Sequence, residues 1–443
     1  MPLLSRRSYR WELTAAGFMP TTIACVEGNV VGVILNKAFG APPSVIATVA
    51  AAPALANITS AVWTRVLHGT HRVKAINVLQ GVMLACVALI AFAPISPAGT
   101  WMVVAGVLAA RIAMAGLINA RSDVWRANYP RSDRARATGK LTTLTALIVG
   151  LTAVVVGYMM DNADVLGENA YRLVYAAAVL LGMVGIWAFS HVRWRGGLSQ
   201  RRAERKRRLD DRNSASAREM LSVLKNDRWY RRYMTAQFTL GMANLSAIPL
   251  FIVALEDTFG LAYLPSLVLT QVIPIVMPVV AIPFWARFLD RVHIIAFRSV
   301  HSWFFVAALA MLSVGFLTET LWVIVVSRFI LGIAFGGGML AWNLGHHDFA
   351  SRDMASIYMG IHATLTGVRG AIGPYVGTLL YAPMAVSLVG LEIRWAGMGP
   401  WTFVIAAWLG LVGALMFVKL YADQRRELRR MGEGEGSGRD EVR

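Results

Sequence analysis

Apolar runs of about twenty residues recur from one end of this chain to the other, with polar intervals between them. A helix rises about 1.5 Å per residue, so a hydrocarbon core of roughly 30 Å needs about 20 of them. Twelve runs qualify: Leu13–Leu35, Ser44–Trp63, Val73–Ala93, Trp101–Arg121, Leu141–Met160, Leu173–His191, Met234–Leu255, Leu264–Trp285, Ile294–Leu317, Leu321–Leu344, Ala355–Leu380 and Trp401–Leu420. We number them segments 1–12. One interval, Arg193–Arg232, is long, polar and strongly basic, and it falls near the middle of the chain. Within it Met220, Leu221, Leu224 and Trp229 recur at helical spacing over Ala217–Tyr233. That pattern predicts an amphipathic helix on a membrane surface.

The pattern divides the chain into a first six-helix half (1–192), a basic central loop with its helix (193–232), a second six-helix half (233–421) and a polar, disordered tail (422–443). The fold class is all-α and polytopic.

Charge fixes the expected orientation. The intervals after segments 2, 4, 6, 8 and 10 hold Arg65, Arg72, Lys74, Arg126, Arg131, Arg134, Arg136, Lys140, the central block, Arg287, Arg291, Arg298 and Arg352. The other intervals hold Asp161, Asp164, Glu168, Glu256, Asp257 and Glu319, with Lys37, Arg172 and Arg394 as exceptions. Lysine and arginine stay on the cytoplasmic side, so both termini are expected inside. The net charge of +18 is spread over alternate intervals and does not indicate nucleic acid. Only 15% of residues are charged, against about 25% in a soluble domain. Cys25 and Cys86 both lie in apolar runs and offer no disulfide framework. The basic start MPLLSRRSYRW precedes a run too long for a signal peptide, so it reads as a retained first span.

The two halves repeat. Trp63-Thr-Arg-Val-Leu-His68 follows segment 2 and Trp285-Ala-Arg-Phe-Leu-Asp290 follows segment 8. Segment 4 carries Arg111, Gly116 and Trp125; segment 10 carries Arg328, Gly332 and Trp342. Two matches in the same order, half a chain apart, imply duplication of a six-helix unit. The 6+6 arrangement, the basic central loop and these motifs resemble the major facilitator superfamily over essentially the whole chain. Members carry G-x-x-x-D-R-x-G-R after segments 2 and 8. Asp290-Arg291 stands after segment 8, with Ala286 at the glycine position; after segment 2, His68 and Gly69 replace the acid and the arginine. The resemblance implies two pseudo-symmetric bundles, gating loops at Arg65, His68, Asp290 and Arg291, and a cavity lined by segments 1, 4, 7 and 10. Arg111 and Arg328 match the arginine motif of segment 4 and its repeat.

Ionisable side chains inside a span are costly and point to function by default. Glu27, Arg111, Arg328 and Arg369 are the clearest, in segments 1, 4, 10 and 11. Asn119, Asn244, Asn343 and Trp342 join them as candidate substrate contacts. Interhelical packing and backbone hydrogen bonds are the alternative for each. Counted in depth, Glu27 and Arg111 fall within about 6 Å of each other, a coupling site or a structural pair. Three arginines against one acid point to an anionic solute if they share a cavity. His362 is a candidate proton site. His346-His347-Asp348 reads as a polar helix end rather than a metal site. Gly370–Gly377 resembles the glycine-proline motif that antiporters of the family carry in segment 5. Pro274, Pro278 and Pro283 predict a bent segment 8.

The expected function is secondary active transport of a small solute by alternating access, coupled to a proton or solute gradient, without cofactor, metal or enzymatic activity. The expected setting is a monomer spanning a bacterial cytoplasmic (inner) membrane. A non-transporting receptor or scaffold of the same fold and a drug or metabolite efflux antiporter are the alternatives.

Overall fold

A computed structural model describes residues 3–163, 170–206, 217–351, 354–388 and 391–437 of the chain. Asp164, Glu168, Arg352 and part of the central basic block lie outside the described residues. The protein is almost wholly helical. Among the described residues ten helices are long and apolar enough to cross a membrane. Segments 2 and 11 fall outside that set. Segment 2 is split into Pro43–Ile58 and Ser60–Leu67, and segment 11, Ala355–Tyr381, carries His362 and Arg369 in its interior.

The duplication shows in the packing. In the first half, segment 1 packs on 5 and 6, segment 3 on 4 and 6, and segment 2 on 4. In the second half, segment 7 packs on 11 and 12, segment 9 on 10 and 12, and segment 8 on 10. These are the same pairings shifted by six. The halves meet where segment 2 lies on 11, segment 5 on 8, and segment 1 on 7 and 8. Gly370 allows the close approach of segment 11 to segment 2, because a Cβ there would stand 2.7 Å from Cβ of Ala54.

The hydrogen bonds and ion pairs between the halves that join described residues fall toward one end, opposite the termini. Lys37 pairs with Glu256 and donates to the carbonyl of Leu261. Asp161 accepts the backbone N–H groups of Tyr263 and Leu264 at 2.6 and 2.8 Å, capping the start of segment 8 from the other half. Tyr375 bonds Thr48 at 3.1 Å. Toward the termini the halves part: segment 2 is buried at Val45, Ile46, Val49 and Ala52 but exposed at Ile58, Val62 and Val66. Exposed Trp101, Trp322 and Trp401 open segments 4, 10 and 12 at the far end, as interfacial aromatics do.

Four features differ from the sequence expectation. The described part of the central interval holds two helices, Gly197–Lys206 and Ala217–Asn226. The second rests Met220, Val223 and Leu224 on the core of the second half, so most of its apolar face is spent on protein rather than lipid, with Leu221 left exposed. Asp227 ends it and caps segment 7 by accepting from the N–H of Tyr230 at 2.8 Å. Segment 12 runs as helix from Trp401 to Ser437, so the described tail beyond Tyr421 is helical rather than disordered. Asp423 and Glu427 pair there with Arg232 and Arg228 and anchor it. Lastly, an antiparallel hairpin, β1 (Met384–Leu388) and β2 (Leu391–Trp395), joins segments 11 and 12.

Candidate functional site

Segment 1 is not one helix. Leu3–Ala24 ends before Cys25, and Gly28–Lys37 begins after Glu27, which holds extended backbone at φ −70° and ψ 132°. Gly28 fits because a Cβ there would meet the Val49 carbonyl oxygen at 3.2 Å and Cα of Ala50 at 3.3 Å. The break leaves the carbonyl of Val26 outside the helical ladder, and in a low-dielectric interior such a group needs a donor. Arg111 of segment 4 supplies it: Nε donates to Val26 O at 2.9 Å, and Nη2 stands 2.7 Å from Oε2 of Glu27. Arg111 is 6% exposed and Glu27 27%. The guanidinium is therefore enclosed, while the carboxylate retains access to water.

Two residues further on, Asn29 reaches across to the other half. Its Nδ2 donates to the carbonyl of Thr270 and to Oε1 of Gln271, both at 2.9 Å. Segment 8 makes a π-helical turn there, Val268–Val272, followed by Pro274. Proline has no N–H to return to the carbonyl four residues back, which is that of Thr270. Single π turns of this kind are frequent at functional sites. Glu27 thus faces Arg111 within its own half, and Asn29 faces the bent helix of the other.

The repeat of this site lacks its acid. The offset between Trp63 and Trp285 carries Val26-Glu27 onto Ile248-Pro249 of segment 7. Arg328, the partner of Arg111 in the repeat, lies over the Phe251 ring at 4.2 Å. Among the described residues no carboxylate forms an ion pair with it. It lines a cavity of about 20 Å³ with Asn244, Ile248, Ser327 and Leu331, room for about one water.

Arg369 lies elsewhere again. It donates to the carbonyl of Gln237 in segment 7 and, at 3.3 Å, to Thr366. Gly241 leaves it room: a Cβ there would stand 2.0 Å from Nη1. Arg298 donates to the side-chain oxygen of the same Gln237 and to Nδ1 of His301 at 2.8 Å. Arg298 is 2% exposed, within the first turns of the helix Ile294–Leu317, although the charge pattern groups it with the cations of the preceding interval. Glu12, 0% exposed, accepts from Trp125 at 2.7 Å, and Arg121 lies over that indole at 4.8 Å. Nothing in the apolar count marked Glu12, which precedes segment 1 as read. The three arginines picked from the sequence therefore do not share one cavity.

The Major Facilitator Superfamily model matches residues 14–374. The chain belongs to the major facilitator superfamily. No curated protein sequence matches it. Solved transporters of the superfamily share its fold. A point mutant of the nucleoside transporter NupG superposes with a TM-score of 0.72 at 12% identity, over 93% of this chain and 100% of its own. The xylose transporter XylE from E. coli, in a partially occluded inward open conformation, superposes at 0.65 and 13%, over 94% and 97%. A POT family transporter in complex with 5-aminolevulinic acid gives 0.64 and 13%, over 94% and 96%.

In this superfamily member the loop after segment 2 is tied to the central interval. Glu204 of Gly197–Lys206 accepts from the N–H of Gly69 at 2.8 Å and pairs with Arg72 at 3.0 Å, and its carbonyl meets His68 at 2.8 Å. Arg72 also pairs with Asp123 of segment 4 at 2.7 Å. Arg65, near the end of the helix Ser60–Leu67, and Asp290 and Arg291, in the turn after segment 8, are exposed. The second loop is held by Asp348 instead, which accepts from Ile294 N at 2.7 Å. Asn119 donates at 3.4 Å to Ser60 O beside the break in segment 2, and exposed Asn343 donates to Met339 O of its own helix. Trp342 packs 5.8 Å from His362.

Proposed function

We propose that this chain is a secondary transporter that moves a small solute by alternating access and couples that movement to a proton gradient through Glu27. The observation that carries this reading is the ion pair of Glu27 with Arg111 at the break in segment 1. A carboxylate held on a guanidinium in one arrangement of the halves and released to water in the other exchanges its proton in step with the movement, the differential interaction that coupling requires. Asn29, two residues away, links the same break to segment 8 and so to the position of the other half. Residues 1–192 and 233–421 act as the two moving bodies.

The basic intervals at the termini support that end as cytoplasmic, in a bacterial inner membrane. In that orientation the arrangement described above is closed outside and parted inside. The test is flux in proteoliposomes. Glu27→Gln is expected to keep solute exchange down its gradient and to lose accumulation driven by a pH difference. Unchanged accumulation with unchanged pH dependence overturns the coupling role. A receptor or scaffold with this fold gives no solute flux in either mode.

A further inference from the structure

We propose that the second half encloses a binding site for one small anion, formed by Arg298, Arg369, His362 and Tyr233 where segments 7, 9 and 11 meet. Both guanidiniums lie on Gln237, one on its carbonyl and one on its side chain. Arg298, Arg369, His362 and Tyr233 are 2%, 7%, 1% and 1% exposed. Among the described residues no carboxylate pairs with either arginine. Asp348, in electrostatic range of Tyr233, already accepts from Ile294 N. Two enclosed positive charges without a counter-charge are expensive in a membrane span.

The unmade hydrogen bonds point the same way. Arg298 Nε, Arg369 Nε, both ring nitrogens of His362 and the Tyr233 hydroxyl are buried with no hydrogen-bond partner. Buried polar groups in a native protein are nearly always satisfied, so several unmet ones in one place call for an acceptor. His362 lies within electrostatic range of both arginines, and so does Tyr233. The neighbouring surfaces are aromatic and closely fitted. Phe417 lies 4.8 Å from the Arg298 guanidinium, Trp342 lies 5.8 Å from His362, and a Cβ on Gly345 would stand 2.9 Å from the Tyr233 hydroxyl.

Both terminal nitrogens of each guanidinium already make a hydrogen bond, so the Nε–H is the wholly unused donor of each arginine. That donor set suits a compact acceptor: chloride, or one carboxylate or phosphate group. The site is separate from Glu27, and its test does not depend on transport.

Purified full-length protein in detergent is melted at fixed ionic strength while sodium chloride, formate or phosphate replaces a bulky sulfonate salt. A ligand that binds the folded state raises the melting temperature with saturation. A saturable rise of several degrees is expected, lost in Arg369→Gln and weakened in His362→Ala, but kept in Arg425→Gln. Should Arg369→Gln fail to fold, Tyr233→Phe with His362→Ala supplies the same comparison. A response to chloride alone supports a resident inorganic ion. A response to formate or phosphate supports a site for an organic or phosphorylated acid group. No response to any of the three overturns the proposal, as does a full response that survives both site variants.

Discussion

Glu27 and Arg111 form an ion pair of 2.7 Å between segments 1 and 4, at the point where segment 1 leaves its helix. One guanidinium thereby serves two needs created by one break: the charge of the carboxylate and the unpartnered carbonyl of Val26. That double duty separates the effects of substitution. Arg111→Gln removes a charged donor from a buried carbonyl, which costs about 1.5–3 kcal/mol. Arg111→Lys restores the charge but not the planar Nε donor, so it should recover only part of the loss. Thermal melts of the three proteins check this, and equal stability in all three sinks it.

Gly370 sets how closely segment 11 approaches segment 2. Gly370→Val would press on Ala54, and overpacking of this kind costs about 1–3 kcal/mol. The load falls on the state in which the halves touch, so the population should shift toward separation at the far end by about fivefold or more. A single cysteine at Thr48, in a background lacking Cys25 and Cys86, should then be alkylated faster by an impermeant reagent. An unchanged rate counts against the contact as a control point.

His71 sits in the loop between segments 2 and 3 and accepts from Lys74 N at 3.4 Å. Burial, and after it the charges of Arg201 and Lys74, hold it below the ordinary histidine range. A histidine depressed in the folded state contributes stability that is present above its unfolded value, near about 6.5, and is lost as pH falls from there through the lower folded value. Asn caps a helix without titrating. The stability of wild type relative to His71→Asn should therefore fall as pH goes from 7 to 5. A pH-independent difference between the two melting curves contradicts the assignment.

Glu204 fastens the first central helix to the loop after segment 2 through Arg72 and Gly69. Glu204→Ala should free that helix, at about 1 kcal/mol for a partly buried, charge-assisted contact. Trypsin should cut within Arg201–Lys206 several times faster than in wild type. Equal cleavage rates would mean that the helix is held by other contacts.

Orientation is open to a direct check. Single cysteines at Ser199, in the central interval, and Thr318, between segments 9 and 10, should be labelled from opposite sides of the membrane. Labelling of both from outside rules out cytoplasmic termini.

The apolar period was enough to find the helices, and the Trp63/Trp285 and Arg111/Arg328 repeats were enough to find the family. Contact between Glu27 and Arg111 was within reach of a count of depth alone. Helix breaks were not. The gap at Cys25–Glu27 contains neither proline nor glycine; Gly28 only borders it, and the donor that makes it tolerable, Arg111, comes from segment 4. The π turn before Pro274 likewise depends on Asn29, 241 residues away. Arg298 was hidden for the opposite reason, since an arginine at the edge of an apolar run looks solvated until its partners are known. Spacing to His301 was the one local signal, placing both on one helix face.

Segment 1 behaves as a jointed rod with each length clamped to a different body. Ser5, Ser8 and Thr22 fasten the first length to segments 4 and 6 and the stretch that follows segment 6. Asn29 and Lys37 fasten the second to segments 7 and 8 and the turn between them. Any rotation of one body against the other must then either twist the three residues of the joint or shear the clamps at Asn29 and Lys37. Glu27 sits on the pivot, where the lever arm is shortest and a small angular change acts first.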